Sequence, residues 1–154
     1  MHTECATFAC GCFWSKEYHF SRQRGVVATR VGYTGGHSQH PTYEQVCRKG
    51  TGHCEAVEVC FDPAITDFET LVRFFFTLHD ASQDRRGNGG QYRSAIFYHS
   101  ERQKALAEKL LAEQRSKGKE IFTELAPATE FREAEARHQG WCERTGVLPP
   151  AMPK

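Results

Sequence analysis

Short β-branched and aromatic runs alternate with helical segments along this chain, and that alternation restricts the fold more than any other feature. Residues 6–10 (ATFAC) stop at Gly11, residues 26–33 (VVATRVGY) stop at Thr34-Gly35-Gly36, and residues 56–61 (AVEVCF) stop at Asp62-Pro63. Each reads as a strand closed by a turn, and residues 94–98 (SAIFY) as a fourth strand. Between them, residues 14–20 suit a short helix. Asp67 suits the N-cap of a helix through Phe68, Leu71, Val72, Phe75 and Leu78. Ser100 caps a longer helix over 101–115, residues 122–125 offer a last strand and residues 130–142 a last helix. Residues 37–53 and 79–91 are rich in Gly and polar residues and read as two long loops, where function concentrates. The order predicts an α/β chain of the α+β sandwich class, a mixed sheet with helices packed on it, as a single domain over residues 1–154.

Charge and composition remove several classes of function. The formal net charge is +1 with no long single-sign run, so there is no electrostatic case for nucleic acid or acidic membranes. No apolar run approaches the length of a membrane span, and the opening Met1-His2-Thr3-Glu4 lacks a signal-peptide pattern, so a cytoplasmic location and a monomer are expected. The seven cysteines, at 5, 10, 12, 47, 54, 60 and 142, are odd in number and do not suggest a secreted disulfide framework. A metal module built from Cys47, His53, Cys54 and Cys60 is an alternative, but no Cys-x-x-Cys pair is present and the spacing matches no standard zinc pattern, so no metal is expected.

Cys12 stands out among the thiols. It falls between a strand ending at Gly11 and the start of a helix, where unpaired backbone N–H groups and the helix dipole favour a thiolate. Phe13 and Trp14 follow directly and offer apolar walls for a group as small as a methyl. A buried cysteine flanked by two core aromatics satisfies the same pattern, so the local sequence leaves both readings open.

The wider pattern resembles the A-type peptide methionine sulfoxide reductases. The matching segments, in order, are ATFACGCFW (6–14), GYTGG (32–36), PTYEQVC (41–47), TGHCEAVEV (51–59) with FDP (61–63), HD (79–80), GQYRSAIFY (90–98) and HQ (138–139). The resemblance implies a sandwich with a ferredoxin-like core and Cys12 as nucleophile. Phe13 and Trp14 would hold the S-methyl group of the substrate, and Glu55, Tyr43 and Tyr92 would surround its oxygen. It implies reduction of methionine S-sulfoxide, free or in proteins, with no cofactor beyond an external thiol reductant such as thioredoxin. Glu55 would have to be protonated, and the apolar residues beside it make a raised pKa reasonable. Outside that resemblance, Glu55 reads as a surface carboxylate at a strand end, Tyr43 as a loop residue over the core and Tyr92 as an amphipathic surface residue. His53 reads as a satisfied loop histidine and Asp80 as a brace of the second loop.

The chain departs from that pattern in two places. Where the family's second loop commonly reads GND-x-GTQYRS, this one reads RGNGGQYRS over residues 86–94. It is two residues shorter and lacks the Asp; Asn88 remains and Asp84 lies upstream. Many members also carry a resolving cysteine in a Gly-rich C-terminal tail, and here the only late cysteine is Cys142. Cys10 is too close to Cys12 for an unstrained bridge, Cys54 should face away from Glu55, Cys47 suits packing, and Cys5 precedes the first strand. Cys142 is therefore the candidate resolving thiol, alongside direct reduction by an external thiol. The altered loop leaves one alternative activity, a thiol redox sensor or binder with weak or altered reductase activity.

Overall fold

The computed structural model describes residues 2–37, 39–48, 50–87 and 90–149. The chain runs β1 (Glu4–Cys10), α1 (Phe13–Ser21), β2 (Val26–Thr34), α2 (Tyr43–Cys47), β3 (Cys54–Phe61), α3 (Phe68–Thr77), β4 (Ser94–Tyr98), α4 (Glu101–Ser116), β5 (Glu124–Pro127), β6 (Arg132–Glu133), a 3-10 turn (Ala136–His138) and α5 (Trp141–Thr145). The six strands form one sheet in the order β5-β4-β1-β3-β2-β6. The four central strands pair antiparallel with one another, and the edge strand β5 pairs parallel to β4. Two interlocked β-α-β units in the order β4-β1-β3-β2 are the ferredoxin-like arrangement.

Strand periodicity sorts the core into two faces. Ala6, Phe8 and Cys10 of β1 and Val57, Val59 and Phe61 of β3 pack under Phe13 and Phe20 of α1, Leu71, Val72 and Phe75 of α3, and Ala107 and Leu110 of α4. The opposite face holds a smaller cluster of Ala9, Cys54, Ala56, Ala95 and Phe97, covered by Ala126, Ala128 and Phe131. Caps lock the helices where the sequence placed them. The Asp67 carboxylate accepts from the Thr70 amide at 2.8 Å, and the Ser100 hydroxyl from the Gln103 amide at 3.1 Å.

Four expectations need correction. The stretch read as a loop over 37–53 contains α2, which a Thr42–Gln45 capping box starts. The strand expected at 122–125 sits two residues later, at Glu124–Pro127, because its parallel register with β4 pairs Ala95 with Glu124. The helix expected at 130–142 does not form as one piece. Residues Arg132–Glu133 pair with the edge of β2, the Gln139 side chain receives the Val31 amide and donates to its carbonyl (both 2.9 Å), and Gly140 turns left-handed at φ 60°. Hydrogen bonds offered by an open sheet edge outweigh helical spacing there. Finally, Cys5 lies within β1, not before it. It faces Cys60 directly across the β1–β3 pair with Cα atoms 4.1 Å apart, and the two form a disulfide.

The register fixes where a site can form. Cys10, at the end of β1, comes level with the start of β3, and Tyr33 lies opposite Glu55. The turn after β1, the segment between β2 and β3, and the segment leading into β4 therefore meet at one end of the two central strands.

Candidate active site

Gly11 makes the turn out of β1 at φ 113°, a conformation that side chains beyond glycine resist. It delivers Cys12 to the N-cap position of α1, half-buried and with no side-chain cap bond of its own. The Trp14 and Ser15 amides hold the thiol pKa down and the Lys16 charge assists. Burial nevertheless outweighs them and raises it, with the Glu55 charge adding to the rise. The expected thiolate preference of the turn is present in the amides but loses to desolvation while Glu55 is ionised.

Glu55 is only 1% exposed. Its Oε1 accepts the Phe13 amide at 3.2 Å and its Oε2 accepts the Gln91 side-chain amide at 2.7 Å. Burial is the largest influence and pushes the carboxyl up to about 7, against the lowering effect of both donors. The carboxyl is thus poised to hold a proton near neutral pH, one peptide unit away from Cys12. Gln91 also receives the Glu55 amide on its own carbonyl at 2.9 Å, so it clamps the acid by backbone and side chain together.

The aromatic residues close around this pair. Phe13 is buried and faces Tyr33, Tyr43 and His138, with ring centroids 5.8, 6.4 and 5.5 Å away. Trp14 stacks on Trp141 at 4.3 Å and donates its indole N–H to Nδ1 of His138 at 2.9 Å, which fixes the orientation of both rings. Tyr43 opens α2, stacked toward both Phe13 and Trp14. Burial, and then its hydrogen bond with Cys47, raise its hydroxyl pKa. Burial, followed by the Glu55 and Cys12 charges, pushes Tyr92 up to about 12. Both hydroxyls stay protonated at neutral pH and remain donors. Beside them lies an open groove of about 630 Å³ walled by Trp14, Tyr43, Cys47, Arg48, His138 and Trp141.

The structure therefore gathers Cys12, Phe13, Trp14, Tyr43, Glu55 and Tyr92 at one place. Cys142, on the first turn of α5, is 4% exposed; its thiol approaches the Trp14 carbonyl at 3.4 Å and feels the charge of Cys12. His53 accepts the Gly36 amide at 3.1 Å, and Asp80 accepts the Ser82 amide at 3.0 Å, both bracing roles. Asn88 lies outside the described residues.

Three contributors were missed as site residues. Gln91 and His138 sat inside quoted motifs without an assigned role. Glu135 accepts the Tyr33 hydroxyl at 2.9 Å and the Tyr43 amide at 3.1 Å, tying the C-terminal segment to α2, and no local signal marked it. Cys47, read as packing, faces the site: the Gln91 side chain that holds Glu55 also donates to its sulfur at 3.3 Å.

The residues of the metal alternative do not converge. Cys60 is bonded to Cys5, Cys54 is buried on the opposite sheet face against the Thr34 carbonyl, and Cys47 stands with Gln91.

Comparison with known proteins agrees with this geometry. A family model described as peptide methionine sulfoxide reductase matches residues 4–148. A peptide methionine sulfoxide reductase of Methanosarcina mazei is 50% identical over 151 residues, covering 94% of this chain and 72% of that protein. The crystal structure of reduced Mxr1 from Saccharomyces cerevisiae superposes with a TM-score of 0.85 at 30% identity, covering 98% of this chain and 90% of that one. Mxr1 in complex with Trx2 is also similar, with a TM-score of 0.63 at 26% identity over 90% of this chain and 84% of that one.

Proposed function

The chain belongs to the peptide methionine sulfoxide reductase family and reduces methionine sulfoxide, and we propose that Cys12 is the nucleophile, Glu55 the acid, and Tyr43 and Tyr92 the donors to the departing oxygen. The observation that carries this reading is the buried Glu55, raised to about 7 and bonded to the amide next to Cys12.

Sulfoxide sulfur is electrophilic, but its oxygen leaves poorly unless it is protonated. In the proposed step the substrate methyl lies between Phe13 and Trp14, and its oxygen points to Glu55 and the two hydroxyls. The Cys12 sulfur attacks the sulfoxide sulfur as the Glu55 proton passes to oxygen. The thiol proton of Cys12 passes to the carboxylate that Glu55 becomes, so no net charge accumulates and the adduct carries a new S–S bond and an S–OH group. The S–O bond then breaks, the hydroxyl transfers to the Cys12 sulfur, and the transient S–S bond breaks with its electron pair going to methionine. Methionine sulfur gains two electrons, Cys12 loses two, and the products are methionine and Cys12 sulfenic acid. A pocket with methyl and oxygen sites on different walls distinguishes the epimers at sulfur; the S epimer, free or in peptides, is what the family resemblance implies.

Recovery requires a second thiol. Cys142 is our candidate resolving residue, supported by its thiol lying 3.4 Å from the carbonyl of Trp14, two residues from Cys12. Condensation of its thiol with the sulfenic acid forms a disulfide and releases water, and an external dithiol then reduces that bond. Thioredoxin suits this role, since the similar Mxr1 forms a complex with Trx2. No cofactor enters the scheme, and every proposed group comes from one chain, which a monomer satisfies. No helix among the described residues is long and apolar enough to cross a membrane. A cytoplasmic location fits an enzyme whose cysteine must be returned to the thiol by a reducing partner.

The test uses methionine-S-sulfoxide with dithiothreitol. Wild type should yield methionine and Cys12→Ser none; normal turnover by that variant would overturn the assignment. A single turnover without reductant should consume two of the five free thiols. Mass spectrometry should find Cys12 joined to Cys142, and Cys142→Ser should lose one thiol only. A Cys12–Cys47 bridge would move the resolving role to Cys47.

A further inference from the structure

Two cations converge on the backbone beside the nucleophile. A Cβ placed on Gly11 would lie 3.5 Å from Nη1 of Arg85 and 3.7 Å from Cε of Lys16. Arg85 comes from the segment between α3 and β4, Lys16 from the first turns of α1. The Arg85 guanidinium also sits over the Tyr92 ring, 5.5 Å from its centroid. It thus flanks the ring whose hydroxyl faces the proposed oxygen position.

Nothing among the described residues neutralises these two charges. The carboxylates of the Arg85 segment are engaged elsewhere: Asp84 pairs with Arg86 at 2.8 Å, and Asp80 accepts from Ser82. Lys16 donates to the Leu78 carbonyl at 2.9 Å, a neutral partner. Other arginines of the molecule do find carboxylates, including Arg30 with Glu58, Arg93 with Glu124 and Arg73 with Glu69. The cationic lip is therefore local, on a chain whose net charge is only +1.

We propose that Arg85, with Lys16 behind it, is a specificity-determining residue that favours methionine sulfoxide carrying a carboxylate close to the sulfoxide. This deepens the proposed function and rests on it. The carboxylate has two chemical sources, the α-carboxylate of free or C-terminal methionine sulfoxide and the side chain of a flanking Asp or Glu. Either reaches a cation that binds and orients without touching the reacting atoms, so the effect belongs in KM. Lys16 bears on the Cys12 thiol and Arg85 on Tyr92, so Arg85 is the residue to change and turnover of the neutral peptide controls for its contact with Tyr92.

The experiment measures kcat/KM at low and high salt for N-acetyl methionine sulfoxide and its amide, and for blocked tripeptides with Glu, Gln or Lys beside the sulfoxide. Wild type should prefer each anionic member over its neutral partner by about two- to fivefold at low salt, the range for one exposed charge pair, shrinking at high salt. Arg85→Ala should erase that preference through KM while turnover of the Gln tripeptide persists, and Arg85→Glu should favour the Lys peptide. Preference confined to the N-acetyl acid identifies the α-carboxylate as the source; preference confined to the Glu peptide identifies the side chain. An unchanged preference in both variants, or none in wild type, overturns the proposal. Failure on the neutral peptides would instead count against the proposed function itself.

Discussion

Replacing Glu55 by Gln should lower activity and at the same time flatten the dependence of stability on pH. Burial raises the carboxyl from its ordinary value of 4.5 to about 7. Between those values the folded protein binds more protons at this site than the unfolded chain does, so stability falls as pH rises from about 4.5 to about 7. The full cost at alkaline pH is the shift multiplied by the free energy per pH unit, about 3 kcal/mol. The amide of the Glu55→Gln variant carries no proton equilibrium and escapes that cost. It keeps its carbonyl toward the Phe13 amide, while the Gln91 amide has to flip to remain paired. Urea unfolding at pH 5 and pH 8 should show the drop between the two pH values smaller in the variant by about 2.5 kcal/mol, the rest of the shift lying below pH 5. In the same variant, single-turnover reduction should slow by about 10²- to 10⁴-fold through loss of the acid. In wild type the single-turnover rate should fall about tenfold per unit above pH 7 as the proton leaves. An equal pH 5-to-8 drop in both proteins, with an unchanged rate profile, would refute both the burial argument and the proton donor.

Tyr43→Phe and Tyr92→Phe each remove one protonated donor and should cost on the order of 100-fold in kcat, with KM nearly unchanged; a pure KM effect would mean the hydroxyls only bind. Gly36→Ala places a Cβ 2.3 Å from the His53 amide nitrogen and 2.5 Å from the Thr51 carbonyl oxygen, both backbone atoms. It should destabilise the fold by about 1–3 kcal/mol in urea titration, and a wild-type midpoint would show that the segment before β3 yields freely.

The strands β1 to β4, helices α1 and α3, and both long-helix caps were legible because each announces itself within a few residues. Period-2 apolar runs bounded by glycine, and Asp67 or Ser100 ahead of a helical stripe, are local signals. The strand-to-helix turn at Cys12 was legible for the same reason. The C-terminal third of the site was not. Glu135, His138 and Gln139 take their roles from partners about 100 residues away, at Tyr33, Trp14 and Val31. Helical spacing over 130–142 could not register an open edge of β2 that was waiting for hydrogen bonds.

What the sequence determined by itself is the place of Cys12 at a strand-to-helix turn, the glycine that makes that turn, and the order of strands and helices around it, because those depend on neighbours in the chain. What only tertiary structure decided is electrostatic and topological. Burial of Glu55 under Phe13 and Gln91 makes it an acid poised near neutral pH, and the same burial works against a resting thiolate at Cys12. The β1–β3 register joins Cys5 to Cys60, and the segment before β4 sets Arg85 over Tyr92. Desolvation and through-space charge depend on which atoms exclude water from a group, and that is settled only when distant segments pack together.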